Sequence, residues 1–71
     1  MPLMNTLKVQ RAILGINQAK LGQLADVSRQ TISSIERGEY NPSITLVLKL
    51  ADIFSVTVED LFRYEEDEVD E

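Results

Sequence analysis

The sequence predicts an all-α fold: one compact domain of five short helices. Three observations carry this. The chain has 71 residues and no Cys, so a single small core must hold it together without disulfides. Helix caps and breakers recur at short intervals, at Gly15, Asn17, Ser28, Gly38, Asn41-Pro42-Ser43 and Thr57. Between them, apolar residues fall three and four apart, the spacing of a helix face.

Each element follows from those signals. Asn5 or Thr6 can cap a first helix running to about Leu14, and Gly15 ends it because Gly accepts the left-handed conformation. Asn17 caps the second helix, whose stripe is Leu21, Leu24 and Ala25. Asp26 takes the turn after it, where Asp tolerates positive φ. Ser28 caps a third helix from Arg29 to about Arg37, with Ile32 and Ile35 facing inward and Gly38 stopping it. Asn41-Pro42 disfavours helix, and Ser43 caps a fourth from Ile44 to about Phe54. Thr45, Lys49 and Asp52 make its narrow polar stripe. Thr57 to Phe62 reads as a short fifth helix with Asp60 placed for a capping box.

Composition excludes several functions. The absence of His and Cys removes the commonest general base, the thiolate and imidazole metal ligands, and every Ser-His or Cys-His nucleophile. A compact chain of this size has little room for a concave pocket, so no catalytic residue, metal, cofactor or small-molecule ligand is expected. The apolar runs are far shorter than the ~20 residues of a membrane span, and the start carries no signal-peptide pattern. A soluble, intracellular (cytoplasmic) binding module is the expectation.

The net charge of −5 is unevenly placed. Residues 1–58 hold six cations against four acids, net +2, and residues 59–71 hold one cation against eight acids, net −7. The body is mildly basic. Residues 65–71 hold six acids in seven positions, a self-repelling block expected to be a disordered tail beside a folded unit of residues 1–64. The tail reads either as a solubilising terminus or as a phosphate mimic competing for the basic face.

The informative constellation runs from Gln18 to Glu36. Two short helices joined by Asp26-Val27-Ser28 have helix-turn-helix spacing. With Ile32 and Ile35 inward, Arg29, Gln30, Ser33 and Arg37 point largely outward, flanked by Ser28 and Ser34. Arg suits the O6/N7 pair of guanine and Gln the N6/N7 pair of adenine, while small hydroxyls permit close approach. An ordinary solvated helix would instead carry Glu/Lys pairs one turn apart. By spacing alone, a generic helical pair remains an alternative.

Residues from about Leu7 to Phe62 also resemble the small phage-repressor/Cro-like (Xre-type) helix-turn-helix regulators. The resemblance lies in Arg11 to Leu21, Val27 to Gly38, Tyr40 to Ser43 and Val58 to Phe62. It implies a five-helix repressor-like DNA-binding domain, dimeric in many members, with the helix after Ser28 in the major groove of double-stranded DNA. On matching positions, Ser28, Arg29, Gln30, Ser33 and Ser34 would reach bases. Asn17, Gln18, Arg37, Tyr40, Asn41 and Ser43 would hold phosphates. Arg11 and Glu36 would form a structural ion pair. The termini would pair as a short ribbon near Leu3–Met4 and Arg63–Tyr64. Gly22 stands where the family has Ala and reads as a helix penalty of about 0.5–1 kcal/mol. Ser55 replaces a customary Gly, and Glu39 a common Lys near the expected phosphates.

Helices four and five carry more apolar residues than one small core obviously absorbs. They read either as a tight core or, as favoured here, as a homodimer seam of Leu50, Ile53, Phe54, Val56, Val58, Leu61 and Phe62. The functional expectation is a transcriptional regulator, by default a repressor, acting as a homodimer on a pseudo-palindromic operator. The alternative is a protein-interaction module such as an antitoxin or accessory subunit.

Overall fold

A computed structural model describes residues 3–64. The expected acidic tail, residues 65–71, lies outside the described residues. The order of elements is β1 (Leu3–Asn5), α1 (Leu7–Leu14), α2 (Gln18–Ala25), α3 (Arg29–Glu36), α4 (Ile44–Phe54), α5 (Val58–Leu61) and β2 (Phe62–Tyr64). The five expected helices are present, and an antiparallel ribbon closes the ends with Leu3 opposite Tyr64, Met4 opposite Arg63 and Asn5 opposite Phe62.

Caps set the boundaries. Asn17, Ser28, Ser43 and Thr57 each hold extended backbone and accept a hydrogen bond from the residue three positions on. Thr57 and Asp60 form a reciprocal box, with Asp60 Oδ2 accepting from the Thr57 amide at 3.2 Å. The first helix differs from expectation. Thr6 precedes it, but its hydroxyl donates to the Asp60 carbonyl at 2.7 Å, tying the chain start to α5. Asn5 Oδ1 accepts from the Leu7 amide instead, at 3.2 Å. The fifth helix is a single turn, because Phe62 already has extended backbone and begins β2.

The core is formed by Leu7, Leu21, Ala25, Ile32, Ile35, Leu46, Val47, Leu50, Ala51, Phe54, Leu61 and Phe62. It takes one face from every helix, so α2 and α3 are held from behind while their outer sides stay open. Leu24, expected inward, is 45% exposed. At one turn above Leu21 and beside Ala25 it lies at the edge of the stripe. Gly22 is a larger correction. A Cβ there would stand 2.7 Å from the Val27 carbonyl oxygen, so Gly is what lets the start of α3 rest on α2. The penalty in helix propensity is real but small beside that clash.

Candidate nucleic-acid interface

The geometry begins at the turn between α2 and α3. Asp26 adopts left-handed backbone at φ 63°, and the Val27 amide donates to the Gly22 carbonyl at 2.8 Å. Ser28 then starts α3. Its Oγ accepts from the Thr31 amide at 3.0 Å and shares a hydrogen bond with the Thr31 hydroxyl at 2.9 Å. Ile32 and Ile35 are buried, so the helix is fixed in rotation and turns its other side outward.

That outer side borders two open hollows. One, of about 350 Å³, is lined by Ser28, Gln30, Thr31, Ser34, Glu39 and Tyr40. The other, of about 400 Å³, is lined by Arg11, Asn17, Gln18, Ala19 and Arg29. Arg29 and Gln30 are exposed, and Ser33 and Ser34 are half-buried. Tyr40, Asn41 and Ser43 are exposed on the loop into α4, where the Ser43 hydroxyl accepts from the Leu46 amide at 3.2 Å. Asn17 likewise uses its side-chain oxygen on the Lys20 amide, at 2.8 Å.

Glu36 organises the second hollow from below. Arg11 donates to it through Nε at 2.6 Å and Nη2 at 3.1 Å, and Gln18 Nε2 donates to it at 3.1 Å. Arg11 Nη1 also donates to the Ile16 carbonyl at 3.3 Å. The Arg11 and Glu36 side chains are 14% and 7% exposed. Burial pushes the Glu36 carboxyl up, but hydrogen bonds from Arg11 and Gln18 and the charges of Arg11 and Lys8 outweigh it. The carboxyl therefore lies below the usual range. The hydrogen bond that Arg11 donates to Glu36 in turn raises the guanidinium against its burial. Both stay charged, and Gln18 is oriented by a carboxylate on the last turn of α3.

Like the bond from Gln18 to Glu36, two further sets of interactions near the site were not read from the sequence. Arg37 donates to Glu39 at 3.0 Å and also to the Ser33 hydroxyl. Lys49, in the polar stripe of α4, donates to the Ala25 carbonyl at 3.3 Å and joins α4 to the end of α2. A basic and an acidic residue either side of Gly38 was the available signal for the first; nothing local signals the second.

The residues expected at a dimer seam fall into two groups. Leu50, Phe54, Leu61 and Phe62 are buried in the chain's own core, while Ile53, Val56 and Val58 are half-buried at its margin. On α4 the exposed apolar side chains are Ile44, at 69%, and Leu48, at 56%, one turn apart. Among the described residues no cluster of acids could hold a metal ion, and no helix is long and apolar enough to cross a membrane.

Two short helices packed through a three-residue turn, with the second turning polar side chains outward, define a helix-turn-helix protein. The helix-turn-helix family model matches residues 7–61. The chain is 48% identical over 64 residues to the HTH-type transcriptional regulator MJ0272 of Methanocaldococcus jannaschii, covering 90% of this chain and 97% of that protein. It is 46% identical over 63 residues to the HTH-type transcriptional regulator YgzD of Bacillus subtilis, covering 89% and 96%. Among solved structures, it is similar to the restriction-modification controller protein C.AhdI from Aeromonas hydrophila, with TM-score 0.70, 30% identity, and 76% and 78% of the two chains covered. It is also similar to the P22 c2 repressor in complex with a synthetic operator, with TM-score 0.71, 32% identity, and 75% and 80% covered. The chain belongs to the helix-turn-helix family of Xre/Cro/C1-type, DNA-binding transcriptional regulators. This is a family of regulators, not enzymes.

Proposed function

We propose that the chain acts as a homodimer on a pseudo-palindromic operator and represses by occupying the promoter. One observation supports this most directly: the outer side of α3 brings Gln30 and Ser34 to one open hollow and Arg29 to another, each rimmed by further polar groups. Arg29 and Gln30 read base edges, with Ser33, Ser34 and the capping Ser28 in close approach. Asn17, Gln18, Arg37, Tyr40, Asn41 and Ser43 hold phosphates and fix the register. The N-terminus of α2, where Gln18 is the first helical residue, suits an anion. The P22 c2 repressor, similar in fold, is described in complex with an operator. Two copies would place their α3 helices about 34 Å apart, one turn of duplex.

Because Leu50, Phe54, Leu61 and Phe62 are buried inside the chain's own core, the seam draws on Ile53, Val56 and Val58. The acidic stretch after residue 64 competes with DNA for the basic face, so its removal raises non-specific affinity at low salt. A protein-interaction role is the second reading. It is favoured by the outer face of α1, where Val9 and Ile13 are exposed one turn apart.

Selection of bound sequences from a random duplex pool, with sizing of the free protein, tests the proposal. A discrete dimer that enriches a two-fold symmetric site is expected. A monomer that retains no duplex at ~50 mM salt would overturn it.

A further inference from the structure

Arg37 ends α3, and Gly38 follows in left-handed backbone at φ 77°. The reversal brings the chain back onto the helix. The Gly38 amide donates to the Ile35 carbonyl at 3.0 Å and the Glu39 amide to the Ser34 carbonyl at 2.9 Å. Glu39 is thereby pinned to the end of the reading helix. Its carboxylate accepts from Arg37 Nη2 at 3.0 Å, while Arg37 Nη1 donates to Ser33. The two side chains are 53% and 62% exposed, so the pair stands in solvent and opens at small cost. Glu39 also borders the hollow shared by Gln30, Ser34 and Tyr40.

We propose that Glu39 sets the affinity of the interface by competing with the DNA backbone for Arg37. This rests on the reading of Arg37 as a phosphate contact. In the DNA-free protein an acid two residues away already occupies the guanidinium. A phosphate gains Arg37 only by displacing that carboxylate, which is then left facing the duplex. The exchange trades one anion for another, so Arg37 adds less to binding than a solvated cation would. Phosphates carry no sequence information, so the restraint acts on every duplex alike. Occupancy then depends more heavily on contacts to the bases.

The test compares wild type, Glu39→Gln, Arg37→Gln and the double variant over a salt series. The probes are a duplex recovered by selection and a scrambled duplex of the same composition, and thermal melts of all four proteins establish that each is folded. Glu39→Gln is expected to tighten both probes equally, by about two- to fivefold at ~50 mM salt. It should steepen the log–log salt dependence by about 0.9, the increment of one phosphate contact. In the Arg37→Gln background the same change should keep only the smaller gain that comes from removing a negative charge beside the duplex, and the steeper salt dependence should be lost. Unchanged affinity, a gain confined to the selected duplex, or a gain equally large without Arg37 overturns the proposal. A wild type that binds neither duplex at any salt sinks the DNA reading itself, and this inference with it.

Discussion

Replacing Glu36 with Gln puts a near-isosteric amide where Arg11 and Gln18 share a carboxylate. Arg11 keeps its charge but loses its counter-ion, in a place where the two side chains are only 14% and 7% exposed. Removing one member of a buried pair costs roughly 3–5 kcal/mol. The amide oxygen can still accept one hydrogen bond, so the low end applies, about 3 kcal/mol. At roughly 0.05–0.15 kcal/mol per residue, a domain of this size holds only about 4–11 kcal/mol in total. The variant should therefore melt about 12–24 °C below wild type, at roughly 4–8 °C per kcal/mol. Urea unfolding followed by circular dichroism measures the same loss as a shifted midpoint. The companion variant Arg11→Met with Glu36→Leu should recover most of it, because an apolar pair leaves no stranded charge. A loss under about 1 kcal/mol for Glu36→Gln would put the pair in the class of solvent-screened surface bridges and refute the argument. So would a double variant as unstable as the single one.

Four further outcomes follow from the same geometry. The Glu36 carboxyl is held below its ordinary value of 4.5, so its contribution is complete above that pH and is lost as acid protonates it in the folded state; the acid limb of a stability–pH profile should flatten in Glu36→Gln. Gly22→Ala should destabilise by roughly 1–3 kcal/mol despite better helix propensity, since its Cβ meets the Val27 carbonyl; an unchanged melt would contradict the close approach. Ser55→Gly should raise stability by about 0.5–1 kcal/mol in the same melts, relieving left-handed backbone at φ 56° less the added freedom of the unfolded chain. Gln30→Ala should cost about 1–3 kcal/mol on a selected duplex and far less on random DNA, whereas Gln18→Ala should weaken all sequences alike, both read by titration at fixed salt.

Much of the architecture was legible because it is local. Ser28, Ser43 and Thr57 act within three residues of themselves, and Asp26 meets a backbone demand that few other residues tolerate. What escaped depends on elements distant in the chain. Helical spacing shows that Leu21, Leu24 and Ala25 share a side of α2, but not that the neighbouring helices stop short of Leu24. Gly22 looks like a weak helix former until the Val27 carbonyl is brought against it. Leu50, Phe54, Leu61 and Phe62 seemed surplus because no periodicity reports how much of α4 the other elements cover. At the interface the residue types pointed outward from composition alone. The hold of Glu36 on Gln18 and of Glu39 on Arg37 required coordinates, since each depends on how a side chain folds back over a helix end.

The terminal ribbon makes the described chain nearly a closed ring. Leu3 lies opposite Tyr64, so a short bridge could span the ends and a new opening be cut elsewhere without lengthening any path through the domain. The clasp also reaches inward: Asn5 Nδ2 donates to the Ile35 carbonyl at 3.0 Å, in the last turn of α3. Whatever is joined to either end of the described chain therefore hangs one strand away from the anchor of α3, and trimming the first five residues would cut that mooring.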